Sequence, residues 1–191
     1  YVGNTYMVGK TQSNNFPTTF GPLLVQGQYD GFITRFDIQA KREWATYYGG
    51  SGIEAIYEVS FNLSNQDLYV IGKTSSTDIS IMPIANPNNG SFYQNTGYGI
   101  TTGPGALSQD AFILRLTPTP STGTINWATY FGGSGDDVGK AIKCDNMGNV
   151  HIIGNTKTAV GGYNNCEALT VSNFPLCNPG GTAYHQGTNA G

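Results

Sequence analysis

At 191 residues, with 38% hydrophobic and only 11% charged side chains, the chain is long enough to bury a core, and a net charge of −3 gives it no basic footprint for nucleic acid or an anionic membrane. No run of about 18 apolar residues occurs, which excludes a helical membrane span. Gly 27 and Tyr 12, among frequent Thr, Asn and Ser, suit short strands joined by many turns, in a protein that works outside the cell.

In chain order, residues 4–11 (NTYMVGKT) predict a strand whose middle is apolar on both faces and which therefore lies between layers. A loop follows, with Phe16-Pro17 as its anchor. Asp30 to Asp37 (DGFITRFD) alternates, Phe32, Thr34 and Phe36 on one side and Ile33 and Arg35 on the other. Residues 42–48 form the next strand, and Gly49-Gly50-Ser51-Gly52 leaves it through a conformation that needs residues without a Cβ. Residues 54–62 and 67–74 complete four strands, expected as one antiparallel sheet. The pattern returns at 110–117, 125–131, 137–144 and 149–156.

The repetition is close to literal. WATYYGGSG, Trp44 to Gly52, recurs 83 residues later as WATYFGGSG, Trp127 to Gly135. DGFITRFD recurs as DAFILRLT from Asp110, and LYVIGKT from Leu68 has partners from Thr5 and Val150. A repeat array is the natural reading. The 83-residue spacing exceeds the roughly 40 to 50 residues of common propeller repeats, and insertions account for the excess. The expected organisation is 1–29, the last strand of a preceding blade with an inter-blade loop; 30–74, a first full blade; 75–109, a long inter-blade insertion; 110–156, a second full blade; and 157–191, a long loop leading to the next blade. In the two long segments Met82-Pro83 and Phe174-Pro175 stand where Phe16-Pro17 stands, with added length after the anchor in one and before it in the other. Loops that grow at one place on a fixed scaffold are typical carriers of binding. The chain opens inside a repeat and closes where another DGF-like strand is due, so it reads as an excerpt of a longer array.

Taken together, WATYxGGSG, the Gly-Asn-led strand ending Gly-x-Thr, the FPTT at Phe16 to Thr19 and the Asp-(Gly/Ala)-Phe-Ile-x-Arg strand resemble the bacterial SBBP β-propeller repeat. The departures are Met82 before proline and Asn189-Ala190-Gly191 at the last DGF-like position. The resemblance implies an all-β fold of four-stranded propeller blades in a secreted or surface-exposed bacterial protein, of the kind found in gliding bacteria with type IX secretion. It lends no catalytic residues.

A repeated residue faces a different direction in each unit, so Asp30, Arg35, Trp44, Gly49 and Gly50, with Asp110, Arg115, Trp127, Gly132 and Gly133, read as framework. The arginines are expected in an ion pair or a fork onto carbonyls at the blade junction. Asp136-Asp137 offers a carboxylate pair, but Asp137 matches Glu54 beside the Gly-rich turn and reads as an acceptor of backbone N–H bonds. Asp145 to Asn149 has a calcium-loop flavour without the ligand set of an EF-hand, so the cofactor expectation is none, with calcium as the open alternative. His151 takes the place of Tyr6 and Tyr69 in its strand, and His185 has no metal spacing around it. Cys144 falls at the position of Phe61 or Asn62, whereas Cys166 and Cys177 lie in one loop and are near enough to close it as a disulfide in an oxidising compartment. No GxSxG, HExxH or phosphate loop is present.

Phe92, Tyr93 and Tyr98 in one insertion and Tyr163 and Tyr184 in the other are aromatic and unrepeated. Such rings among Asn, Gln and Thr suit stacking on a polysaccharide or packing on another surface protein, and equally suit a small core inside the loop itself. The expected function is non-enzymatic adhesion or ligand presentation at a bacterial surface, in contact with the remaining blades of a parent chain. A structural spacer and the propeller of a secreted hydrolase are the alternatives.

Overall fold

The alternating apolar pattern and the β-branched and aromatic content of the repeats produce strands throughout. The computed structural model describes residues 3–22, 24–80, 94, 97, 108–158, 160–163 and 174–177, and among these there is no helix. Accordingly, no helix is long and apolar enough to cross a membrane. The fold is all-β, with antiparallel sheets. β1 (Thr5–Thr11), β2 (Asp30–Phe36) and β3 (Arg42–Tyr48) make a first sheet in that order. β4 (Glu54–Phe61), β5 (Leu68–Thr74), β6 (Asp110–Pro118) and β7 (Gly123–Phe131) make a second, and β8 (Asp137–Cys144) with β9 (Val150–Thr156) a third. A separate parallel pair joins β10 (Val160–Tyr163) to β11 (Phe174–Cys177), the latter carrying the Phe174-Pro175 anchor.

This grouping corrects the expected unit. The four strands between residues 30 and 74 do not share a sheet: the sheet boundary falls at the GGSG turn, between β3 and β4. The pairing instead runs across the long segments, with Thr11 opposite Asp30 and Thr74 opposite Asp110. The 75–109 segment is therefore the β5–β6 connection inside one sheet, not a link between sheets. Loop-closure entropy rises only with the logarithm of length, so 35 intervening residues do not prevent two matched strands from pairing. The register is held by side chains. Gly9 lies opposite Phe32 and Gly72 opposite Phe112, and a Cβ on either glycine would stand 2.9 Å from the facing ring.

The sheets pack on one another, β4 against β1 and β2, and β8 against β4, β5 and β6. Between the first and second lies the larger core, including Ile33, Trp44, Tyr48, Ile56, Phe112 and Tyr130, with Tyr48 and Phe112 rings 5.2 Å apart. Ile71, Ile113 and Ile142 form the smaller core between second and third. The anchor ring of Phe16 packs at 4.7 Å from Phe32 and 5.8 Å from Tyr47. The expectation that residues 4–11 form a strand covered on both faces is not met: β1 is half open, with Met7 45% exposed, because it is an edge strand, whereas its equivalent β5 is covered on both faces. Hydrogen bonds bridge the layers as well. Trp44 Nε1 donates to the Thr119 carbonyl in the β6–β7 hairpin (2.8 Å), and the N–H groups of Ile142 and Cys144 on β8 donate to Glu58 Oε2 (2.8 Å) and Ser60 Oγ (3.0 Å) on β4.

Candidate functional site

Because the strands alternate in direction, one end of each sheet collects the GGSG turns and the roots of the long segments, while the other carries short hairpins. At the loop-bearing end, buried carboxylates hold the turns. Glu54, at the start of β4, accepts from Gly50 N at Oε2 (2.8 Å) and from Thr74 Oγ1 and Ser76 Oγ at Oε1 (2.6 Å each). Ser76 Oγ in turn accepts from Gly52 N at 2.7 Å. The second copy uses Asp137, whose Oδ2 accepts from Gly133 N and Thr158 Oγ1 (2.7 Å each), with Gly135 N donating to Thr158 Oγ1 at 2.8 Å. Asp30 accepts from Gln26 N (3.0 Å) and Gly27 N (3.3 Å), where the preceding loop re-enters β2.

Burial raises the Asp30 and Glu54 carboxyls above the usual range, against the pull of these donors. Asp30 and Glu54 converge on Gly49, where a Cβ would stand 2.6 Å from Asp30 Cγ and from Glu54 Oε2. Gly132 sits likewise between Asp110 Oδ1 (2.5 Å) and Asp137 Oδ2 (2.9 Å). The Gly49-Gly50-Ser51-Gly52 turn was expected to need special backbone torsions; among the described residues the positive-φ glycines are instead Gly3, Gly21 and Gly148. Crowding by the packed acids is what excludes a side chain at Gly49 and Gly132.

The root of the 75–109 segment is tied to the same turns. Asp78 Oδ1 accepts from Ser51 N (2.9 Å), Tyr48 OH donates to Ser80 O (2.8 Å), and Tyr130 OH donates to Ser76 O (3.0 Å). Gln94, 3% exposed, returns to the scaffold through its N–H on Thr129 Oγ1 (2.8 Å) and its Oε1 from Gly132 N (3.2 Å). Ser108 Oγ donates to Gly135 O at 3.0 Å. The described parts of the segment, at its entry, at Gln94 and at its exit, are thus tied to the sheets.

Of the aromatic binding candidates, Phe92, Tyr93, Tyr98 and Tyr184 lie outside the described residues, as do Cys166, Met82, His185 and Asn189 to Gly191. Tyr163 and Cys177 are placed only as the last backbone positions of β10 and β11. Cys144 aligns with Phe61, is partly buried and is a free thiol.

The arginines are framework of an unexpected kind. Each finds its acid within its own sheet, not at a junction: Arg35 Nε lies 2.8 Å from Glu43 Oε2, and Arg115 Nε 2.5 Å from Asp67 Oδ2. The partners differ because the acids trade places. Asn4 occupies the Asp67 position in the first sheet and Asn126 the Glu43 position in the second. We expect Asp67→Asn to cost on the order of 1 kcal/mol, and a second change, Asn126→Glu, to restore at least half of it; urea unfolding of the single and double variants measures both.

At the opposite end, Asp145 folds its own hairpin. Oδ1 accepts from Met147 N (2.9 Å) and Asn149 N (2.8 Å), and Oδ2 from Asn149 Nδ2 (2.7 Å), with His151 Nε2 at 3.4 Å. These donors, the Asn149 side chain foremost, pull its carboxyl down to about 2. The calcium-loop reading is thus met by a turn whose acid is engaged by its own chain, and no cluster of three or more His, Cys, Asp or Glu side chains occurs among the described residues. Gly3, Gln66 and Gly148 hold the same left-handed position two residues before three equivalent strands, β1, β5 and β9, with φ of 112°, 62° and 91°.

Sequence reasoning missed Gln94, Asp78, and the Ser76 and Thr158 hydroxyls. The last two carried a signal, since Thr74-Ser75-Ser76 and Thr156-Lys157-Thr158 repeat a hydroxyl two residues beyond each strand end. The chemistry of the site is that of a rigid mount: its acids accept backbone and hydroxyl protons and hold turns. No family model matches this chain, and no curated protein matches it.

Proposed function

We propose that the chain is a non-enzymatic segment of an extracellular bacterial repeat array, with sheets that are blades of an SBBP-type propeller, and that it adheres or presents ligands through its long loops. One observation carries this reading. The segments 12–29 and 75–109 join equivalent strands, β1 to β2 in the first sheet and β5 to β6 in the second, and the chain beyond β9 leaves from the same corner. Insertions at one repeated corner, rooted by Ser76, Asp78 and Gln94, make a row of loops on a rigid base. The tight hairpins at the other end offer no comparable surface. The repeated motifs fall on equivalent strands, which supports the family resemblance, and the polar, aromatic content of the loops favours a polysaccharide or another surface protein as partner.

The test is binding of the chain to a panel of polysaccharides and bacterial cell surfaces, beside a variant with Phe92, Tyr93, Tyr98, Tyr163 and Tyr184 changed to Ala. The expected result is a bound glycan or surface that the folded variant binds at least about tenfold more weakly. Absence of binding by the unaltered chain, or equal binding by the variant, overturns the reading and favours a spacer.

A further inference from the structure

Among the described residues the third sheet has two strands, where the second has four. β9 is equivalent to β1 and β5, each of which pairs on its far side with a strand beginning Asp-(Gly/Ala)-Phe-Ile. β9 has no such neighbour among the described residues, and three positions register the difference. Ile71 on β5 is 1% exposed, whereas its counterpart Ile153 is 70% exposed. Gly9 and Gly72 each lie beneath a phenylalanine ring, whereas the atoms nearest a Cβ on Gly154 belong only to the backbone of Val138 and Gly139. Trp44 gives its indole N–H to Thr119 O in the β6–β7 hairpin, whereas the equivalent Trp127 Nε1 is buried and has no hydrogen-bond partner among the described residues.

The space beside Gly154 is a cleft of about 320 Å³, walled by Ile71, Ile113 and Phe131 on one side and by Ile152 and Ile153 on the other. Phe131 occupies the place of Tyr48, the residue against which the Phe112 ring packs at 5.2 Å. An aromatic ring entering over Gly154 would meet Phe131 in the same way.

We infer that β9 is a docking edge for a β-hairpin of the β6–β7 type, supplied by a further unit of the same repeat. Its first strand runs antiparallel to β9 with Asp opposite Thr156 and Phe opposite Gly154, and its turn offers a carbonyl to Trp127 Nε1. Strand addition supplies main-chain hydrogen bonds, while the cleft selects the aromatic side chain. The inference rests on the register of the repeat and not on the adhesive role, so either stands without the other.

The probe is a fluorescein-labelled synthetic peptide copying residues 110–131, titrated into the 191-residue chain and followed by anisotropy, with ¹⁵N-indole spectra of the protein recorded alongside. Saturable binding is expected, together with a shift of the Trp127 indole N–H while that of Trp44 stays in place. Phe112→Ala in the peptide should weaken binding at least about thirtyfold. Ile153→Lys in the protein, at a side chain already in solvent, should do the same without loss of the folded spectrum. Three outcomes overturn the inference: no binding, binding indifferent to both substitutions, or a concentration-dependent dimer of the chain that buries Ile153 and excludes the peptide.

Discussion

Trp44→Ala should lower the unfolding free energy by about 3–5 kcal/mol, and Trp127→Ala by about half of that or less. The two residues stand in the same nine-residue motif, so composition and propensity predict equal costs. The structure separates them. Trp44 is fully buried between the first and second sheets, its ring 6.3 Å from Tyr6 and 5.3 Å from Phe20, and its N–H engaged on Thr119 O. Removing it opens a cavity and leaves a carbonyl without its donor. Trp127 is only partly buried, borders the smaller core, and has a buried N–H without a hydrogen-bond partner among the described residues, so its loss also relieves a cost. Urea denaturation of both variants measures the difference. Equal destabilisation would mean that the third sheet covers Trp127 as completely as the second covers Trp44.

That asymmetry marks how far the sequence could be read. Strand positions and equivalences were legible because WATY, DGF and GKT repeat, and each repeat carries the alternation of a strand. Sheet membership was not. Four strands joined by short turns look like one sheet, since neighbours in sequence usually pair, yet the decisive contacts are Phe32 over Gly9 and Phe112 over Gly72, across 22 and 39 intervening residues. Nothing local to the DGF strand says that its partner is a glycine so far upstream.

At the site, the Gly-rich turn and its following acid were visible, and so was their structural character. The reason for the glycines was not. It lies in two carboxylates, Asp30 and Glu54, brought to one point from different sheets. The arginine pairs show the same limit: Arg35 and Arg115 are identical in motif, but their acids, Glu43 and Asp67, come from opposite flanking strands. The neighbour of β9 was foreshadowed only as another DGF-like strand falling due after the last repeat. The specificity of the β9 edge for phenylalanine emerges from laying three equivalent strands over one another.

Glu54→Ala should cost about 2–4 kcal/mol, because Gly50 N, Thr74 Oγ1 and Ser76 Oγ all lose their acceptor in a site closed to water. Glu54→Gln is the more informative change. It retains one acceptor oxygen but brings an amide group toward the N–H donors, and it removes the titration. Burial raises the Glu54 carboxyl above its ordinary value of 4.5, so between that value and the folded one the native state holds a proton that the unfolded state has released. Its contribution to stability is therefore complete below pH 4.5 and is lost as pH rises through the folded value. Glu58, held low first by Lys143, and Asp145, held low first by Asn149, act in the opposite sense, losing their contributions as pH falls. They are common to both proteins and cancel in the difference. The stability of the unaltered chain minus that of Glu54→Gln should thus grow as pH falls from 7 toward 4.5, as read from urea midpoints and slopes at each pH. A difference that shrinks over that range would show Glu54 fully ionised, with its three donors outweighing its burial. A growing one places a protonated acid at the entry of the 75–109 segment, so that mild acid tightens the turn that Glu54 holds with Thr74 and Ser76.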